Sequence, residues 1–391
     1  MDFGWVAAGP RTSSILADMG AEVIKVESRK RVDALRFGAD NVTNDPEKSP
    51  FFHSVNRNKL GITVDIANPK GIDLLKRLVK ISDVVVENFS PQVMRKLGLH
   101  YEALREIKED IIMTSLPSVG NVGPLSDVVT YGPSLASLSG LDSIIGYDGE
   151  KILGMQQPYA DINAAFHAAF AVLVALRHRE LYGEGQYIEL AQIETLLSTM
   201  AEAVLEYSMN GRVLGPAGNT SPTMAPHNNY RCEGEDKWIS IAVRDHEEWE
   251  AFCRAIGEPQ WASDERFADT FQRQANRVEL DKLITAWTST KTQYEAMDIL
   301  QRAGVAAMPC ADTEDRFFDQ HLAERQVLVE LEHPATDLDW IPGLVSRLSE
   351  TPGSFRSPAP LIGQHNDYVF GELLGLPKDT IAELVDSKVI S

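Results

Sequence analysis

The apolar positions of the first two hundred residues switch repeatedly between strand-like runs and helical spacing. Residues 11–19 read as a helix ending at Gly20, a residue suited to a helix C-terminus. AEVIKVE at 21–27 then reads as a strand, and a second short β-branched run lies at 62–66. After Pro69, the residues Ile72, Leu74, Leu75, Leu78 and Val79 predict a helix over 71–80. DVVVE at 83–87 and IIMTSL at 111–116 are further compact strands. A long apolar helix is predicted over about 161–181, followed by a glycine turn at 183–185 and a strand at 186–190. Strands separated by helices of this length imply an α/β fold with a parallel sheet covered on its faces.

The periodicity stops at 211–226, GRVLGPAGNTSPTMAP, which has the composition of a linker. Beyond it KWISIAV at 237–243 alternates like a half-buried strand, and helices are predicted around 245–256 and 276–303. Residues 357–375 carry Pro358, Pro360 and Gly363 before a last helix. No internal repeat or low-complexity tract occurs. The domain reading is a large N-terminal part over 1–205, a linker over 206–226, a small α+β domain over 227–325 and a C-terminal return over 326–391.

A chain of 391 residues suits two to three domains, and 43% hydrophobic with 24% charged residues is an ordinary globular composition. Lys and Arg number 37 against 57 Asp and Glu, a net charge of −20. That field repels nucleic acid and anionic membranes, so neither is an expected partner, and a polyanionic ligand would need a local basic patch. Cys232, Cys253 and Cys310 form no CxxC pair and no metal-like spacing with histidine. An odd count fits a reducing compartment rather than a disulfide framework. The first residues lack the basic and apolar regions of a signal peptide. The longest near-apolar run, 164–176, is shorter than the roughly 20 residues that span a bilayer. A cytoplasmic protein is expected. GxGxxG, Walker A, GxSxG, HExxH and EF-hand patterns are absent, which removes the familiar nucleotide and metal readings.

Several blocks recur in one order across nearly the whole chain: VAAGP at 6–10, ADMGAEVIKVE at 17–27, NRNK at 56–59 and DVVVENF at 83–89 with Leu97-Gly98. Tyr131-Gly132, the Asp161 helix ending in GEGQ, APH at 225–227 and PLIGQH at 360–365 complete the set. Together they resemble the class III CoA-transferase family, which includes formyl-CoA:oxalate and carnitine CoA-transferases and, as a divergent branch, α-methylacyl-CoA racemases. In that family a further strand's worth of residues normally precedes the segment matching Asp2-Phe3-Gly4, so a late start is expected here. The resemblance implies an acyl-CoA and a small carboxylic acid exchanging CoA, with no permanently bound cofactor and no metal. It also implies a Rossmann-like large domain built from both termini, a smaller middle domain, and two interlocked chains. The dimer would be a homodimer or a heterodimer with a related chain.

Asp161 stands directly before the longest apolar helix. As an N-cap its carboxylate would accept backbone N–H bonds and face the positive end of the helix dipole, which keeps it ionised. On its own that pattern describes a cap. The resemblance aligns Asp161 with the family's catalytic aspartate, whose ionised carboxylate attacks a thioester. It likewise implies that Val6, Ala7 and Ala8 pass close to the thioester and pantetheine. Asn88 and Phe89 match adenosine-side contacts, Tyr131 a tyrosine beside the pantetheine, Lys96 a basic residue near the phosphates, and Leu97 a further CoA-binding position. Arg29, Lys30 and Arg31 are the clearest basic cluster and read either as a phosphate site or as a solvated loop. Ala67 and Val129 stand where the family often carries a basic residue.

Two positions are open between a structural and a substrate-side role: Trp5, as core or pocket wall, and His227. The glycine-rich loop of oxalate-using relatives is not visible between Tyr207 and Pro226, which disfavours oxalate. Racemization needs two groups flanking the α-carbon, and the histidine of the racemase branch is absent at Thr130-Tyr131-Gly132. A transferase is therefore favoured, with succinyl-CoA and a mono- or dicarboxylic acid as preferred substrates. An acyl-CoA racemase and a CoA-binding subunit of a hetero-oligomer are the alternatives.

Overall fold

The computed structural model describes residues 1–147, 152–155 and 157–391. They form two compact units: one of Met1–Ser143, Leu153–Leu214 and Gln326–Ser391, the other of Ile144–Ile152 and Gly215–Arg325. The fold is mixed α/β, with parallel and antiparallel sheets.

Helices and strands alternate through the first unit. Helix α1 (Ala8–Asp18) leads to β1 (Val23–Glu27), α2 (Pro50–Asn56) to β2 (Lys59–Thr63), and α3 (Pro69–Lys80) to β3 (Val84–Glu87). Helices α4 (Gln92–Lys96) and α5 (Tyr101–Ile107) precede β4 (Ile112–Ser115), while α6 (Gly132–Ser139) and α7 (Tyr159–Tyr182) precede β5 (Tyr187–Glu189). Helices α8 (Gln192–Leu197) and α9 (Ala201–Asn210) follow. Residues 206–210, within the stretch read as a linker, thus belong to a helix.

The strands pair in parallel, β1 with β2, β3 with β4 and β4 with β5. Residues 1–3 join the two halves. The Asp2 amide donates to the Ile24 carbonyl at 2.8 Å, and the Phe3 amide to the Val86 carbonyl at 2.9 Å. The spatial order is therefore β2, β1, residues 1–3, β3, β4, β5. The chain winds one way on one side of residues 1–3 and the other way beyond them. At such a reversal the loops leaving the carboxyl ends of neighbouring strands part, and a crevice opens.

Leu74, Leu75, Leu78 and Val79 are buried on α3, as their spacing predicts, together with Ile62, Val85 and Met113. Val369, Phe370, Val389 and Ile390 belong to the same core, so the chain's last segment closes the sheet it began.

The second unit holds β6 (His227–Arg231) and β7 (Trp238–Ala242), then α10 (His246–Ile256), α11 (Thr270–Ala275), α12 (Arg277–Thr288), α13 (Gln293–Arg302) and β8 (Ala306–Pro309). Its three strands are antiparallel around a core that includes Trp249, Phe252, Leu280 and Ile284. The helix expected over 276–303 is interrupted because Thr292 and Glu295 form a capping box that starts α13 afresh. In the first unit, β9 (Leu328–His333) and β10 (Asp337–Pro342) make an antiparallel hairpin with no counterpart in the sequence reading.

Helix α7 has 24 residues, longer than the run at 164–176, and by length and composition alone could cross a membrane. One face, with Ala164, Ala165, Ala168 and Val172, is buried, and α7 packs on α1 and α8. Phe166, Phe170, Leu173 and Val174 remain exposed.

Candidate active site

The crevice beside residues 1–3 is a pocket at the carboxyl ends of the strands. Its walls include Trp5, Val6, Ala7, Asn88, Phe89 and Asp161. Thr130, Tyr131 and Gly132 at the start of α6 also line it, as do Phe51 and Gln192. Residues far apart in sequence thus converge because the loops after residue 3, after β3 and before α6 open on the same side.

Asp161 is the third residue of α7, not its N-cap. Pro158 holds the cap position and offers no side-chain bond. Proline at the cap lets the helix begin two residues earlier than the aspartate, and Asp161 turns its carboxylate out of the first turn. Three helix N-termini meet there. Asp161 belongs to the first turn of α7, the Ala8 amide that begins α1 bonds to its carboxylate, and Gly132 opens α6 against it. A β-carbon at position 132 would meet Asp161 Oδ2, so any side chain there would push the carboxylate aside.

These N-termini favour negative charge. Burial nevertheless outweighs them and raises the Asp161 pKa to about 6, with the amides of Asp161 and Ala8 pulling the other way. The expectation that Asp161 is the N-cap is corrected, and burial rather than capping sets its basicity. The group is ionised at neutral pH yet more basic than a solvated aspartate.

The loop from Gly4 to Val6 is held by buried side chains. Asp2 accepts the Gly4 amide at 2.8 Å, and Asp33 accepts the Val6 amide at 3.0 Å. Lys25 bonds the Gly4 carbonyl and pairs with Asp33 at 3.0 Å, both residues fully buried. Val6 has φ +61°, a conformation unfavourable for a β-branched residue. Trp5 meets Phe89 edge to face at 6.0 Å, and the Arg31 guanidinium lies 4.9 Å above the indole ring.

The sequence-predicted residues separate into two groups. Trp5, Val6, Ala7, Asn88, Phe89, Tyr131 and Asp161 share the pocket, and the fully buried Ala8 contributes its amide from beneath. Arg29, Lys30, Lys96, Leu97 and His227 do not line it. Arg29 donates to the Ile362 carbonyl at 3.3 Å, and Lys30 pairs with Asp65 at 2.7 Å. Lys96 is exposed at the end of α4, and Leu97 packs on the core. His227 belongs to the second unit, where Nδ1 lies 2.6 Å from the Asn219 carbonyl oxygen. Phe51, Gln192 and the Asp33–Lys25 pair were not anticipated. Only the positive cluster around position 30 hinted that this loop mattered.

The geometry offers a poised carboxylate, backbone donors beside it and an apolar aromatic wall. That combination suits nucleophilic attack on an activated acyl group.

The chain is similar to known proteins over most of its length. The family model for CoA-transferase family III matches residues 1–366. A succinyl-CoA–D-citramalate CoA-transferase of Chloroflexus aurantiacus is 32% identical over 391 residues, covering 100% of this chain and 96% of that one. The beta subunit of a succinyl-CoA–L-malate CoA-transferase of the same organism is 31% identical, covering 100% of this chain and 96% of its own. A CAIB/BAIF family protein from Brucella suis superposes with a TM-score of 0.87 at 28% identity, covering 95% of this chain and 97% of that one. With a match over so much of its length, a carboxylate-bearing pocket at the sheet's reversal and relatives named for CoA transfer, this chain belongs to CoA-transferase family III and is a CoA-transferase.

Proposed function

We propose that the protein moves CoA from succinyl-CoA to a small carboxylic acid through intermediates covalently bound to Asp161. The observation that carries this reading is the Asp161 carboxylate, raised in basicity yet ionised at neutral pH, in the pocket where Trp5–Ala7, Asn88–Phe89 and Tyr131 meet. Succinyl-CoA as donor rests on the names of the two Chloroflexus relatives.

The reaction runs in four displacements. An Asp161 oxygen attacks the thioester carbonyl, the carbon–sulfur bond breaks, and a mixed anhydride and CoA thiolate form. The thiolate attacks the Asp161 carbonyl carbon, releasing succinate and leaving an aspartyl-CoA thioester. The acceptor carboxylate attacks that carbon, expelling the thiolate and forming a second anhydride. The thiolate then attacks the acceptor's acyl carbon, and Asp161 departs as a carboxylate. No net proton is consumed. The Ala8 amide is placed to stabilise oxyanions that form on Asp161, and the aromatic wall limits water, which would hydrolyse an anhydride.

The strand order around residues 1–3 matches that of doubly wound nucleotide-binding sheets and supports reading the large unit as Rossmann-like. The exposed apolar residues of α7, together with Val204, Leu205 and Met209 of α9, support burial against a second chain. That chain is a copy of this one or a related subunit, as in the malate enzyme whose beta subunit is similar. The three free cysteines fit a reducing, cytoplasmic setting. A panel of mono- and dicarboxylic acids assayed with succinyl-CoA and acetyl-CoA tests the substrate reading. New acyl-CoA formed from succinyl-CoA supports it, and turnover with acetyl-CoA alone contradicts it.

A further inference from the structure

We propose that Asn88 is a positioning residue that sets the amide beside Asp161, rather than a ligand of CoA. Its carboxamide is already engaged at both ends. Oδ1 accepts the Trp5 amide at 2.7 Å, and Nδ2 donates to the Trp5 carbonyl at 2.9 Å. The side chain thereby continues, beyond the last main-chain bond, the pairing between residues 1–3 and β3. Gly9 lies under it, where a β-carbon would sit 2.9 Å from Asn88 Oδ1.

Trp5 is two peptide units before the Ala7–Ala8 junction, where α1 starts and the Ala8 amide meets the Asp161 carboxylate. Between them stands Val6, held at φ +61°. A strained turn of this kind persists only when its surroundings over-determine it. Asn88 fixes the turn on the Trp5 side, as Asp33 does through the Val6 amide. Release of Trp5 would let Val6 relax and shift the Ala8 amide. The effect would fall on steps at Asp161 and leave the affinity for the nucleotide end of CoA in place. The two bonds use one donor and one acceptor site of the amide and hold it in a fixed orientation toward the Trp5 main chain.

The inference rests on Asp161 being the nucleophile, and the test keeps the two apart. N88A, and N88D as the isosteric variant that loses the donor to the Trp5 carbonyl, are compared with wild type and D161N in steady-state transfer. Unchanged thermal melting certifies folding for whichever variant is read. The expected result is a kcat lower by roughly 10- to 100-fold, the scale of a displaced reacting group, with the KM for acyl-CoA within about threefold. A large rise in that KM at unchanged kcat would make Asn88 a ligand and overturn the proposal. Wild-type kcat in both variants beside an inactive D161N would overturn the role of Asn88 alone. An active D161N would overturn the reading of Asp161 on which it rests.

Discussion

A β-carbon on Gly132 would lie 2.5 Å from Asp161 Oδ2. The contact joins the first residue of α6 to the carboxylate in the first turn of α7. Gly132 does not occupy the left-handed region, so alanine there carries no backbone penalty. Its cost falls on Asp161. G132A is expected to lower kcat on the order of 100-fold while thermal melting stays close to wild type. Steady-state rates and a melting curve on one preparation check this, and near-normal turnover would show that the carboxylate can move aside without consequence.

The raised pKa of Asp161 makes a pH prediction. Attack requires the carboxylate, so kcat/KM for acyl-CoA rises with pH, reaches half its limit near the Asp161 value of about 6, and is flat above it. The sign is that of a general nucleophile lost on protonation. Glu87, at the end of β3, is another carboxyl with a raised pKa. Burial raises it to about 7, and it accepts the Phe89 amide at 2.8 Å. E87Q separates the two, because the midpoint near 6 should persist in that variant. A midpoint that disappears with E87Q would assign the limb to Glu87.

The two lysines expected at the CoA phosphates are unequal. Lys30 is exposed and its charge is matched by Asp65 at 2.7 Å, whereas Lys96 has no ion-pair partner among the described residues. An unmatched cation contributes more to a phosphate ligand than one already paired. K96A should therefore raise the KM for acyl-CoA several-fold, and more at low salt, with K30A having a smaller effect. The KM for the acceptor acid should not change in either variant. Measuring both constants at two ionic strengths decides the matter, and equal losses for both substrates would remove Lys96 from the CoA site.

The elements that bury a regular face were legible in the sequence. The spacing of Leu74, Leu75, Leu78 and Val79 located α3, and the β-branched runs located β1, β3 and β4. Residues 1–3 were not legible as a strand because three residues carry no period, yet their amides join both halves of the sheet. The hairpin β9–β10 escaped because its buried positions are few, and His333 and Ile341 alone do not make an alternating pattern. Asp161 lines the pocket but was assigned to the wrong turn position, since a proline N-cap without a side-chain bond has no sequence signature. The Ala8 donor is a backbone group, and any non-proline residue would supply the same N–H. The Asp33–Lys25 pair and the turn at Val6 exist only once distant segments have packed.

The central claim is that Asp161 forms covalent intermediates, and trapping tests it most directly. The protein is incubated with succinyl-CoA and hydroxylamine, digested, and the peptide carrying Asp161 weighed, with D161N treated in parallel. Asparagine keeps the size of the side chain while losing the attacking oxygen. The account predicts hydroxamate on Asp161 in the wild type, none in D161N, and a fall in transfer of several orders of magnitude with thermal melting nearly unchanged. D161N with near-normal transfer, and no adduct on the wild-type peptide, would contradict it.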